Sequence, residues 1–228
     1  GNININQKVE MALQRSSGLI VKADSKVKIN GGLDMSLTRI NLGEGTNLTV
    51  EPLGSLEIIG DVVGYKAGNS LNGYFYPRVT LNGVVSVEGD FIINGEHVYM
   101  TEDTGHLYVN GSYKQEIGSM WGDYWAKDCH FTAGSLEVTG DYLYDSIGSN
   151  TLEGTHRTIF TGTSKQNVYG IFKNVIVENT SAEGVIFNTL ESQGWGGSSV
   201  FHAQIWGSLQ VASNSVIAGS STETLLRN

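Results

Sequence analysis

GSLEIIGD, the stretch from Gly54 to Asp61, is the phrase whose recurrence decides the fold. It returns as GVVSVEGD at Gly83–Asp90, GHLYVNGS at Gly105–Ser112, GSLEVTGD at Gly134–Asp141 and GSLQVASN at Gly207–Asn214. The leading glycines Gly54, Gly83, Gly105 and Gly134 stand 29, 22 and 29 residues apart, a spacing that signals stacked repeats. Inside a copy, Leu56/Ile58, Val85/Val87, Leu107/Val109 and Leu136/Val138 put apolar side chains on one face, while Glu57, Ser86, Tyr108 and Glu137 take the other. That period of two is a half-buried strand closed by a turn. Further β-like runs lie between the copies, at Gly45–Glu51 and Val79–Leu81. One repeat therefore reads as one rung of a β-solenoid, with inward aliphatics piled into a continuous column.

The expected fold is all-β: a single-stranded parallel β-helix, right-handed, with loop insertions and a short helical cap over Val9–Arg15 (VEMALQR). Thirty glycines with only two prolines in 228 residues exclude collagen, and the supply of Val, Ile, Leu and Tyr argues against disorder. No Pro-rich or Ser-rich linker and no charge block divides the chain, so residues 1–228 read as one elongated domain. Gly1 followed by Asn-Ile-Asn-Ile-Asn already looks like a strand, and an excerpt of a longer surface protein is expected. Oligomeric state is left open.

The net charge of −9, with Lys and Arg scattered, gives no basic stripe for nucleic acid or an anionic membrane. No apolar run approaches the roughly 20 residues of a membrane helix. The single cysteine, Cys129, excludes an internal disulfide framework and leaves the compartment open. It alternates with His130 and reads as a small inward hydrophobe. His97, His106, His156 and His202 have no zinc-ligand spacing and read as surface or turn residues.

The unequal spacing of the repeats is filled by aromatic sequence. YKAGNSLNGYFYP at Tyr65–Pro77 and QEIGSMWGDYWAKD at Gln115–Asp128 read as loops on the flank of the solenoid. Their rings either seal that flank or stack on the apolar faces of sugars while neighbouring polar groups bond hydroxyls. On the second reading the ligand-binding residues are Tyr74, Tyr76, Trp121, Tyr124 and Trp125, and the partner is a plant or microbial polysaccharide. Trp206, beside a rung, reads as structural.

Asp61, Asp90 and Asp141 share one place in their copies, with Ser112 and Asn214 as substitutes. A carboxylate row can bind calcium, but Ser and Asn are also turn formers and no GGxGxD run is present, so a turn role is the stronger reading. No metal site and no cofactor are expected. An enzyme would need carboxylates and a base drawn from successive rungs. The best local cluster, Asp123, Lys127, Asp128 and His130, lies within one loop and strand, and no such column is visible among the repeats.

The stretch Gly134–Asn188 contains GSLEVTGDYLYD, GTHRTIFTGTSKQNVYG and FKNVIVENTSAEGVIF. It resembles the β-helical repeats of bacterial cell-surface and secreted proteins, which tend to show an LEVKGDF rung, a GTHKVIFSGTSKQTV rung and an FNNLxIxNxSxxGVxF rung in that order. Tapirin-type cellulose adhesins are similar in architecture alone. The resemblance implies an extracellular location, secreted or on a bacterial cell surface, and a role as adhesin or stalk. The functional expectation is a non-catalytic carbohydrate-binding adhesion module. The alternatives are a polysaccharide lyase or glycoside hydrolase on the same fold, and a purely structural spacer.

Overall fold

The computed structural model describes residues 1–11, 18–35, 47–64, 78–94, 98–116, 130–145, 154–194, 197–219 and 225–226. Over these residues the chain is all-β, and every pairing but one is parallel. Successive rungs visit three faces in a fixed order. The first face is a nine-stranded sheet running from Asn2–Ile5 through Lys26–Asn30, Ser55–Ile59, Val84–Val87, His106–Val109, Ser135–Val138, Arg157–Phe160 and Asn174–Val177 to Leu209–Val211. The second is also nine-stranded, from Val9–Glu10 and Leu33–Asp34 through Phe91–Asn94, Tyr113–Glu116 and Tyr142–Asp145 to Ile217–Gly219. The third carries Gly18–Val21, Asn47–Val50, Arg78–Leu81, Val98–Met100 and His130–Phe131. In the later rungs its place in the order is taken by Ile171–Phe172, Gln204–Ile205 and Leu225–Leu226. This is the parallel β-helix expected from the repeated phrase.

Registers keep like positions above one another. Ile29, Ile58, Val87, Val109, Val138, Phe160 and Val177 form one buried column of the first sheet. Lys28, Glu57, Ser86, Tyr108 and Glu137 form the outward row beside it. A slip by one residue would exchange these two sets, so burial itself specifies the register. In the second sheet the inward column turns aromatic: Phe91, Tyr113 and Tyr142 stack with centroids 5.5 and 5.2 Å apart. Parallel in-register pairing makes this stack possible, because like side chains meet at the strand spacing of about 4.8 Å.

Both glycines of the repeated phrase sit where rungs touch backbone to backbone. A Cβ on Gly111 would lie 2.5 Å from the Gly89 carbonyl oxygen, and one on Gly140 would lie 2.6 Å from that of Gly111. The leading glycine Gly83 likewise stands against the Gly54 carbonyl. The aspartates that follow the turn glycine act as ties. Asp61 Oδ1 accepts the Asp90 N–H at 2.9 Å, Asp90 Oδ1 accepts that of Ser112 at 2.7 Å, and Asp141 Oδ1 that of Asn167 at 2.7 Å. Each carboxylate thus bonds the backbone one rung on, which accounts for the row without a cation. Among the described residues no group of three or more His, Cys, Asp or Glu can hold a metal.

Val9–Glu10 is a strand paired in parallel with Leu33–Asp34, and Met11 N–H bonds the Asp34 carbonyl, so Val9, Glu10 and Met11 begin the second sheet instead of a helical cap. The remainder of that stretch, 12–15, lies outside the described residues. The apolar pair Val9 and Met11 alternates with Glu10, and a neighbouring strand to pair with outweighs helix propensity over so few residues. His156 is not a surface residue: it is 3 % exposed.

Candidate functional site

Rung length varies chiefly at one connection. From first to second sheet the early rungs turn through short Gly-Asp-like links, such as Gly60–Asp61 and Gly89–Asp90. From second to third face the link ranges from the single residue between Gln166–Tyr169 and Ile171–Phe172 to the sixteen between Val185–Phe187 and Gln204–Ile205, which include the antiparallel hairpin of Thr189–Gly194 with Gly197–His202. The aromatic stretch 65–77 joins Val62–Gly64 to Arg78–Leu81, and 117–129 joins Tyr113–Glu116 to His130–Phe131. Both therefore leave the second sheet and enter the third, two rungs apart, which is about 10 Å along the stack. Tyr74, Tyr76, Trp121, Tyr124 and Trp125 themselves lie outside the described residues, as do Cys129, His97, Asp123, Lys127 and Asp128.

What is described is the row into which both stretches feed. Val79, Leu81, Val98 and Met100 are buried in the core, so Arg78, Thr80 and Tyr99 point outward. Register pairs Thr49 with Thr80, Thr80 with Tyr99 and Tyr99 with His130. The Arg78 guanidinium carbon lies over the Tyr99 ring, 4.6 Å from its centroid, and the His130 ring stacks on Tyr99 at 5.5 Å with planes 22° apart. Arg78 comes from the rung before Tyr99 and His130 from the rung after, so the tyrosine ring has one on each side. Cation–π attraction and ring stacking hold the three as a unit. With both faces covered, Tyr99 is not a platform for a sugar ring; the row presents polar edges.

A second outward cluster stands on the first sheet. His106 Nδ1 is 2.7 Å from Ser135 Oγ, and Ser135 is in register with Arg157. Tyr108 is in register with Glu137, and its ring lies 6.3 Å from that of His106. Three successive rungs thus contribute ionisable groups to two adjacent outward rows, His106 and Arg157 on either side of Ser135 in one and Tyr108 with Glu137 in the other, an array the repeats alone did not reveal because Arg157 belongs to a rung lacking the Gly-Asp phrase. Ser135 Oγ is an inaccessible nucleophile at 6 % exposure, and Glu137 Oε1 accepts the Thr161 hydroxyl at 3.1 Å.

Elsewhere the outer surface is tied by ion pairs between rungs: Lys28 to Glu57 at 2.6 Å, Lys22 to Glu51 at 2.5 Å and Lys8 to Asp34 at 2.8 Å. The Lys22 hydrogen bond holds the Glu51 carboxyl below its ordinary range. Trp206 is 43 % exposed, with its indole N–H donating to Gln204 Oε1 at 3.2 Å.

Sequence reasoning did not single out Arg78, Thr80 or Tyr99. The signal was present in the alternation, since inward Val79 and Leu81 require Arg78 and Thr80 to face solvent. Their proximity to Tyr99 and His130 was hidden by the unequal links, which conceal the register. In comparisons with protein-family models, curated proteins and solved structures, nothing matches this chain.

Proposed function

We propose that this chain is a non-catalytic, extracellular carbohydrate-binding adhesion module of a bacterial surface protein, and that it holds cell-wall polysaccharide along the edge between its second and third sheets. One observation carries the reading: the two aromatic-rich stretches, 65–77 and 117–129, are anchored at the same connection of rungs two apart. Rings attached at that edge can share one polymer, because a solenoid repeats its surface along a line as a polysaccharide repeats its sugars. Tyr74, Tyr76, Trp121, Tyr124 and Trp125 supply apolar contact, and the outward row of Arg78, Thr80 and His130 supplies polar edges beside them.

The test is a pull-down of the purified chain on insoluble cellulose, xylan, chitin and peptidoglycan, with the Trp121→Ala/Trp125→Ala variant alongside and released sugar assayed in the supernatant. Selective retention that the variant loses, without sugar release, supports the proposal. Absence of retention on all four, together with no binding to a soluble acidic glycan, overturns it in favour of a spacer.

The second reading is a polysaccharide lyase or hydrolase, favoured by the His106, Tyr108, Glu137 and Arg157 array on the first sheet. It predicts released sugar that disappears in His106→Ala.

A further inference from the structure

We infer that the outward row of the third sheet is a carboxylate subsite, and that the polysaccharide it takes is one bearing uronic acid groups. This rests on the polysaccharide-binding reading and adds the class of glycan. The chain carries 23 acidic against 14 basic residues, yet this row departs from that balance. Ile20, Thr49, Thr80, Tyr99 and His130 follow one another in register, with Asn47 and Arg78 paired beside them, and among the described residues neither row holds a carboxylate. The nearest acid in the next row, Glu51, is occupied by Lys22 and by the Ala23 N–H.

Arg78 is exposed and makes no ion pair among the described residues. Its guanidinium lies against the Tyr99 ring, which is itself backed by His130. The central carbon of the guanidinium is held over the ring, 4.6 Å from its centroid, so the head group has a fixed place on the surface. A guanidinium fork matches two oxygens of a carboxylate, and holding the head group against the ring reduces the freedom lost on binding. A neutral glycan would make poor use of it, since hydroxyls cannot accept both bonds with full charge assistance. The Thr80 and Thr49 hydroxyls, one strand spacing and two from Tyr99, are placed for the sugar hydroxyls that flank a carboxylate. The net negative charge opposes approach of a polyanion at long range, but at physiological salt it is screened beyond about 8 Å, so contact energies are set by the local row.

The experiment titrates the full chain with polygalacturonate, with the same polymer fully methyl-esterified, and with xylan as a neutral glycan, using calorimetry at constant ionic strength. Affinity for the free acid is expected to be at least about tenfold tighter than for the ester, one tenfold step corresponding to about 1.4 kcal/mol. Arg78→Gln is expected to bring the two polymers within about twofold of each other. Arg78→Lys keeps part of the preference, because it retains charge without the fork. An unchanged thermal midpoint establishes that each variant is folded. Equal affinity for acid and ester, or a preference that survives Arg78→Gln, overturns the carboxylate subsite while xylan or ester binding leaves the polysaccharide reading standing. Failure of all three polymers to bind overturns the carboxylate subsite, and joined with absence of retention in the pull-down it overturns the polysaccharide reading as well.

Discussion

The ring of His156 lies flat against Phe131, centroids 4.9 Å apart and planes 17° from parallel, and its Nδ1 donates to the Ala133 carbonyl at 2.9 Å. A carbonyl only accepts, so Nδ1 carries the proton and Nε2 is the bare nitrogen. Nε2 is buried with no hydrogen-bond partner. Burial therefore lowers the pKa to about 4, with the Ala133 bond opposing and the Arg157 charge reinforcing the shift.

Acid lability follows from that geometry. The folded pKa lies below the ordinary 6.5, so the unfolded chain binds the proton more readily. The His156 penalty is absent above pH 6.5, grows as pH falls toward 4 and then levels off, reaching roughly 3 kcal/mol from a shift of this size. Urea unfolding between pH 7 and pH 4 checks it. His156→Phe is expected to change stability little at pH 7 and to remove this part of the pH slope; an identical slope in the variant refutes the assignment.

The aspartate ladder can be tested rung by rung. Asp90→Ala removes the acceptor for Ser112 N–H and is expected to cost about 1–2 kcal/mol, while Asp90→Asn, which keeps an oxygen, costs less than half of that. Chelator should leave the unfolding midpoint of the wild type unchanged, because the carboxylates bond backbone N–H groups instead of calcium. A midpoint that drops on chelation would reverse this conclusion.

In the aromatic column, Tyr113 is fully buried between Phe91 and Tyr142, and its hydroxyl donates to Gln115 Oε1 at 2.6 Å. Tyr113→Phe keeps the stack and is expected to cost about 1 kcal/mol, whereas Tyr113→Ala opens a cavity and costs about 3–5 kcal/mol. Denaturant midpoints at pH 7 distinguish the two. Similar losses for both would show that the hydrogen bond, not the stack, dominates.

The parts of this architecture that were legible in the chain are those set by local repetition. Leu56/Ile58 and their counterparts announce inward columns, and Gly60-Asp61 announces a turn, because each depends on neighbours within a few residues. The Arg78–Tyr99–His130 unit was not legible, although each outward position was. Contact between Arg78 and Tyr99 depends on 20 intervening residues closing one turn of the coil, and the length of each link does not reveal where it rejoins the stack. The burial of His156 is hidden from the sequence for a related reason. Its neighbour Phe131 is remote in sequence, so nothing local separates a buried imidazole from a turn residue.

Gln166 is buried in the interior of the GTSKQNVYG rung. Its Nε2 donates to the Val138 carbonyl at 3.0 Å and to that of Gly140 at 2.7 Å. Its Oε1 accepts from Gly162 N–H at 3.2 Å and from Asn179 Nδ2 at 2.7 Å. The amide thus spends both donors and its acceptor joining consecutive rungs, in a position where an unmet polar atom costs about 1–3 kcal/mol. Gln166→Glu is nearly isosteric, but it aims a carboxylate oxygen at two carbonyls. At pH 7 the variant must either bury charge against those oxygens or take up a proton, and an expected loss of at least about 3 kcal/mol follows. Protonation restores one donor, so the deficit relative to wild type should shrink as pH falls toward 5. Urea midpoints of Gln166→Glu and Gln166→Leu over this range provide the check. The glutamate variant alone is expected to recover toward low pH; a parallel response in the leucine variant would show that the loss is one of shape and not of hydrogen bonding.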